Sequence, residues 1–163
     1  MSSDEAFVAR VLGALREAGL DAVVVGSVAA LIQGAPLTTD DMDILVRDTP
    51  RNRAKIKDLE SRLGGRAVEI SPLSSTIRIT TAEASLDVLF DEISGGLDFN
   101  ALRSRAKSLT IGDTVAAVAS LEDIIYSKTA AGRPKDLAQL PILQDTLRVL
   151  QTLESTNRRT AKS

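Results

Sequence analysis

Between Val23 and Val46 two apolar runs flank a short helical stretch, and the second run alternates acidic with apolar residues. That stretch limits the fold more than any other part of the chain. Ala22–Gly26 is a short β-branched run, which predicts a strand buried on both faces. Ser27 opens a helical stretch, Val28–Gln33, ended by Gly34; Pro36–Asp40 reads as a turn and Met42–Val46 as a second strand. Asp41 and Asp43 stand two apart there, so their side chains share a face, while Met42 and Ile44 point the other way into apolar packing. Two carboxylates this close resist joint ionisation, and a divalent cation between them removes the conflict. The plainer reading of Asp40-Asp41-Met42-Asp43 is an acidic turn entering a strand.

A third carboxylate, Asp87, sits inside the apolar run Ser85–Phe90, where an unpaired charge is costly. It either joins Asp41 and Asp43 or forms a structural ion pair, with Arg78 as a partner. Where the first strand ends at Gly26 and a helix follows, free backbone N–H groups and the helix dipole favour a phosphate. Gly26 permits close approach and Ser27 adds a hydroxyl.

The missing residue types narrow the chemistry. With no Cys and no His among 163 residues, thiolate nucleophiles, zinc ribbons and imidazole-based triads are excluded. Catalysis must then use carboxylates, Lys, Arg, hydroxyls or backbone groups, and a bound metal would be hard and oxygen-seeking, Mg2+ or Mn2+. Aromatics make up 2% and the net charge is −2, so neither base stacking nor broad electrostatic attraction favours a nucleic-acid scaffold. No apolar run approaches the roughly 20 residues that span a bilayer. The acidic start Met1–Glu5 lacks the basic and apolar parts of a signal peptide, which predicts a cytoplasmic protein with no membrane partner.

Elsewhere the pattern predicts an amphipathic core helix over Ser3–Ala18, with Phe7, Val11 and Leu15 on one face. A charged helix over Arg51–Leu63 stops at Gly64-Gly65. Strands are expected at Ala67–Ile70, Thr76–Thr80 and Ser85–Phe90, a glycine-bearing loop at Ile93–Asn100, and a strand pair between Lys107 and Val118 turning at Gly112-Asp113. Arg103, Arg105 and Lys107 alternate as if on one face of a strand, either toward a triphosphate or as a charged edge. Ser120 with Asp123 resembles a capping box and starts a helix to Ala131; Pro134 begins the last helix, whose leucines are expected in the core. The expected organisation is one α/β (α+β) domain over residues 1–154. In it a small mixed sheet (about 20–118) is flanked by helices, two C-terminal helices (about 120–154) close one side, and residues 155–163 form a basic, frayed tail.

A Gly-Ser strand-to-helix turn, a Thr-x-Asp-x-Asp strand (Thr39, Asp41, Asp43) and a later strand bearing Asp87 together resemble the DNA polymerase beta-type nucleotidyltransferase superfamily. Ser120–Leu137 is similar to the helical segment of small bacterial nucleotidyltransferases, AbiE-type toxin relatives included, with Lys128 and then Arg133, Lys135 and Asp136. The resemblance spans about Ala22 to Leu143. It implies the nucleotidyltransferase fold and transfer of a nucleoside monophosphate from a nucleoside triphosphate, ATP among them, to an acceptor hydroxyl on a small molecule, a protein or an RNA end. It assigns Asp41, Asp43 and Asp87 to catalysis and to Mg2+ or Mn2+, and Gly26, Ser27, Thr39 and Lys128 to the nucleotide. Nucleic acid enters only as acceptor, and a partner protein or a homo-oligomer is expected. Lys128 has a rival role, pairing with Asp136 to join the last two helices. Leu37 replaces an Arg and Gln139 an acidic residue found in many relatives. The rival to catalysis is a binding module that keeps the fold, a toxin–antitoxin component or nucleotide sensor.

Overall fold

The computed structural model describes residues 3–162, without the side chain of Ser74; Met1, Ser2 and Ser163 lie outside it. The chain begins with α1 (Ser3–Ala18), whose Phe7, Val8, Val11, Leu12 and Leu15 are buried. Each such burial contributes roughly 1.5–3 kcal/mol. β1 (Val23–Val25) is buried at all three positions, as a strand with both faces covered requires. α2 (Gly26–Ile32) starts one residue ahead of the expected Ser27. β2 (Asp41–Val46) follows, then α3 (Pro50–Leu63), capped by Thr49 and ended by left-handed Gly64. The charged surface of α3 hides Ile56, Leu59 and Leu63, which join one core with α1 and the sheet.

β3 (Arg66–Ser71), β4 (Ser74–Thr80) and β5 (Ser85–Phe90) come next. The expected loop at Ile93–Asn100 instead holds a small hairpin, β6 (Glu92–Ile93) with β7 (Leu97–Asp98), and the start of α4 (Phe99–Arg105). Asp98 caps α4 by accepting from the Ala101 N–H, and Phe99 and Leu102 are buried. Arg103 and Arg105 therefore lie on a helix, not on a strand face. They pair with Asp21 and Asp123, at 3.4 and 2.9 Å. β8 (Lys107–Ile111) and β9 (Thr114–Val118) form the expected pair, and Ser120 caps α5 (Leu121–Ala131) by accepting from the Asp123 N–H.

The last helix, α6 (Pro134–Ala161), runs through Ser155, where the sequence predicts a frayed tail; from Gln151 to Lys162 it is exposed all round. Among its leucines only Leu143 is fully buried and Leu137 is 49% exposed, so the stripe is a partial core face. In this exposed part the hydroxyls of Thr152, Thr156 and Thr160 each donate to the carbonyl four residues earlier.

Seven strands form one mixed sheet in the order β3-β4-β5-β2-β1-β9-β8. β2 is antiparallel to β1 and parallel to β5; β1 is parallel to β9. Met42 and Ile44 of β2, Leu86 and Val88 of β5, and Ile79 of β4 are at most 1% exposed and face the core. The opposite face at these strands carries the polar residues. α2 and α5 pack together, as do α5 and α6, so the two C-terminal helices stand beside that polar face. Among the described residues no helix is long and apolar enough to cross a membrane.

Candidate active site

The parallel register of β2 and β5 sets Asp43 opposite Asp87 and Asp41 opposite Ser85. In-register residues of neighbouring strands point to the same side, and the two-residue repeat adds Asp41 to that face. Three carboxylates expected from scattered segments thus come to one patch, at the middle of the sheet. They line a cavity of about 390 Å³ together with Ser27, Thr39 and Lys128. Among the described residues they are not drawn into a ready cluster of three metal-ligating groups.

Asp43 sits in an unfavourable electrostatic setting. Burial, then the charges of Asp87 and Asp41, push its carboxyl up to about 6, and the opposing pull of Lys128 and Lys135 does not offset them. Gly26 explains how its carboxylate fits. The backbone there has φ +69°, and a Cβ would lie 2.6 Å from Asp43 Oδ2. Only glycine leaves room for the carboxylate against the β1–α2 turn and takes that conformation without strain.

Asp87 has a partner. Arg78 lies opposite it in the antiparallel pairing of β4 and β5. Arg78 Nε donates to Oδ1 at 2.8 Å and Nη2 to Oδ2 at 3.0 Å. Arg78 Nη2 is also 3.9 Å from Asp41 Oδ2. The hydrogen bonds to Asp87 and its charge hold the Arg78 guanidinium more firmly protonated than usual. Both sequence readings of Asp87 therefore hold in one geometry: it joins the acidic face and it pairs with Arg78.

Two of the nucleotide-binding candidates, Ser27 and Lys128, are engaged with each other. Ser27 is 8% exposed; its Oγ donates to Gln139 Oε1 at 3.2 Å and accepts from Lys128 Nζ at 3.1 Å. Lys128 Nζ also lies 3.6 Å from Asp136 Oδ1, so it joins α5 to α6 as the rival reading has it, while still facing the cavity. Burial lowers the Lys128 ammonium below its ordinary value, and Asp136 opposes that without cancelling it. Arg133 donates Nε to Asp136 Oδ2 at 2.6 Å and Nη2 to Oδ1 at 3.2 Å, while its side chain stays 74% exposed. Burial alone would raise the Asp136 carboxyl; the hydrogen bonds and charge of Arg133, with Lys128, hold it below the usual range. Thr39 spends its hydroxyl locally, donating to the Asp41 carbonyl at 3.0 Å and accepting from its N–H at 3.3 Å. It fixes the entry of β2. Gln139, which the sequence marks only as a departure from an acidic pattern, reaches the site through Ser27, from whose hydroxyl it accepts.

A second space of about 410 Å³ opens between α1, α2 and the β4–β5 connection, floored by Phe7, Val8 and Val28. It shares Thr39 and Asp41 with the first.

No family model matches the chain, and no curated protein matches it in sequence. Solved structures do match in shape. The complex of ANT(2'')-Ia with adenylyl-2''-tobramycin aligns with TM-score 0.65 at 17% identity, over 98% of this chain and 99% of that one. The solution structure of the antibiotic-resistance factor ANT(2'')-Ia gives 0.64 at 16%, over 98% and 95%. The lincosamide antibiotic adenylyltransferase LnuA, lincomycin-bound, gives 0.63 at 14%, over 90% and 98%. Likeness of this extent at so low an identity is a likeness of fold: the chain has the nucleotidyltransferase fold.

Proposed function

We propose that the chain transfers a nucleoside monophosphate from a nucleoside triphosphate to an acceptor hydroxyl and releases pyrophosphate. The acceptor oxygen bonds to the α-phosphorus as that atom's bond to the bridging oxygen of the leaving pyrophosphate breaks. The observation that carries this reading is Asp43, partly buried against Asp41 and Asp87, with its carboxyl raised to about 6. Keeping a carboxylate among carboxylates is unfavourable unless a cation joins them in the working state.

The donor set is all oxygen, and the raised Asp43 marks a deficit of positive charge, so the site fits a hard divalent ion such as Mg2+ or Mn2+. Asp41 and Asp43 would hold it, with Asp87 joining them. Such an ion, when bound, supplies positive charge to the phosphate oxygens and the acceptor oxygen. The remaining work falls to the chain. Lys128, with Ser27 beside it, presents a cation to the triphosphate across the cavity. Gly26 leaves the β1–α2 turn open to Asp43. Asp87 takes the acceptor proton. The space beside α1 receives the acceptor, next to Asp41. The relatives in shape that act on antibiotics favour a small-molecule acceptor over a protein or an RNA end.

The Arg78 clamp on Asp87 gives a second reading some support, a binding module that keeps the fold and senses a nucleotide. Calorimetric titration with each nucleoside triphosphate, with and without Mg2+, separates the possibilities. Mg2+-dependent binding that Asp43→Asn removes supports the site, and transfer to added acceptors then supports catalysis. If no triphosphate binds, both readings fall.

A further inference from the structure

Arg78 sits in the carboxylate patch. It lies opposite Asp87 across the β4–β5 pairing, and its guanidinium takes both Asp87 oxygens, at 2.8 and 3.0 Å. The Asp87 side chain is only 13% exposed, so little of it remains open to anything else. The same guanidinium lies 3.9 Å from Asp41 Oδ2, between the two carboxylates that flank Asp43 in the patch. A structural ion pair in a sheet has no need of such a central place. The Arg78 side chain is 40% exposed, so it can leave without disturbing the core.

We infer that Arg78 is a displaceable counter-ion of the carboxylate site: it occupies Asp87 in the nucleotide-free chain and leaves it for the incoming triphosphate. The inference rests on the transfer reading for its second half only. The guanidinium fork fits a carboxylate and a phosphate equally well, so moving from one to the other conserves its charge-assisted hydrogen bonds. The cavity that holds Asp87 is also lined by Lys128, Arg133 and Lys135, so the phosphates and Arg78 meet within it. Until that exchange, a metal ion has the full use of Asp41 and Asp43 but not of Asp87. The cation and the nucleotide then enter together, and the free chain is guarded against binding a bare ion tightly.

The test measures Mn2+ affinity of the nucleotide-free protein by electron paramagnetic resonance, for the wild type, Arg78→Ala, Asp87→Asn and the double variant. Removing Arg78 should tighten Mn2+ about tenfold. Asp87→Asn alone should change it less than threefold, and in the double variant the gain should disappear. Titration with a nucleoside triphosphate and Mg2+ should move the other way, weakening about tenfold in Arg78→Ala, with Arg78→Lys recovering part of the loss. Arg78→Lys also serves for the Mn2+ arm if Arg78→Ala does not fold; losing the fork, it should bind Mn2+ more tightly than the wild type. A purely structural arginine would leave both affinities unchanged or lower both, and either result overturns the inference. If the wild type binds no triphosphate, the transfer reading falls, and the Mn2+ arm still decides whether Arg78 blocks Asp87.

Discussion

Two aspartates in the wall of one cavity meet opposite fates. Asp136, at the start of α6, is 1% exposed and is held by Arg133 through two hydrogen bonds, with Lys128 at 3.6 Å. Its carboxyl stays below the usual range in spite of burial. Asp43, in the middle of β2, has its carboxyl pushed up to about 6, by burial first and then by the charges of Asp87 and Asp41. The difference lies in what the fold places beside each group. Around Asp136 the chain supplies compensation and obtains a joint between α5 and α6. Around Asp43 it withholds compensation, and the unfavourable charge marks where a ligand is expected.

Asp136→Asn sharpens the contrast most. It leaves Lys128, whose side chain is 10% exposed, without its charged partner, so about 3 kcal/mol of stability should be lost. Denaturant unfolding at neutral pH measures it. A loss below about 0.5 kcal/mol, the size typical of an exposed pair, would show that the cluster is not a structural joint.

Asp43→Asn should act in the opposite direction. A carboxyl raised from 3.8 to about 6 costs the folded state on the order of 3 kcal/mol at pH 7 and about half as much at pH 5, since it binds its proton more tightly than the unfolded chain does. The cost is absent below pH 3.8 and complete above about 6. The variant should therefore be more stable than the wild type at pH 7, with a smaller advantage at pH 5. The same exchange at Asp136 should cost most above pH 3.8 and matter least in acid, where that carboxylate is lost in both states. An Asp43→Asn advantage that ignores pH would remove the contrast.

What could be read from the sequence follows the reach of each signal. The alternation of Asp41, Met42, Asp43 and Ile44 carries its own face assignment, because strand periodicity is local. Asp87 is visible as a charge in an apolar strand, but its alignment with Asp43 depends on β5 lying parallel to β2, a pairing across distant segments. The two readings of Arg78 against Asp87 could not be separated for the same reason: strand order decides whether an ion pair and an acidic patch coincide. α4 escaped because its seven residues are too few to show a period and follow Gly95-Gly96. Its one local signal was Asp98 as a cap, three residues before Ala101. The helical tail beyond Ser155 escaped because its surface offers no apolar stripe to read.

The finest comparison uses two glycines, Gly26 against Asp43 and Gly132 at the end of α5. Gly26 and Gly132 share a left-handed backbone, φ +69° and +63°, so alanine at either should cost roughly 1 kcal/mol for conformation alone. At Gly132 the added methyl meets its nearest neighbour, the Thr129 carbonyl oxygen, at 3.7 Å, an ordinary contact. At Gly26 it would meet Asp43 Oδ2 at 2.6 Å and force the carboxylate aside. Subtracting one variant from the other cancels the backbone term and leaves the contact. Gly26→Ala should lose about 1 kcal/mol more than Gly132→Ala, in line with the cost of overpacking. It should also weaken Mg2+-dependent nucleotide binding, which Gly132→Ala should leave intact. Equal losses and equal binding would mean that Asp43 swings freely, and that the open space at Gly26 is not what holds it in the site.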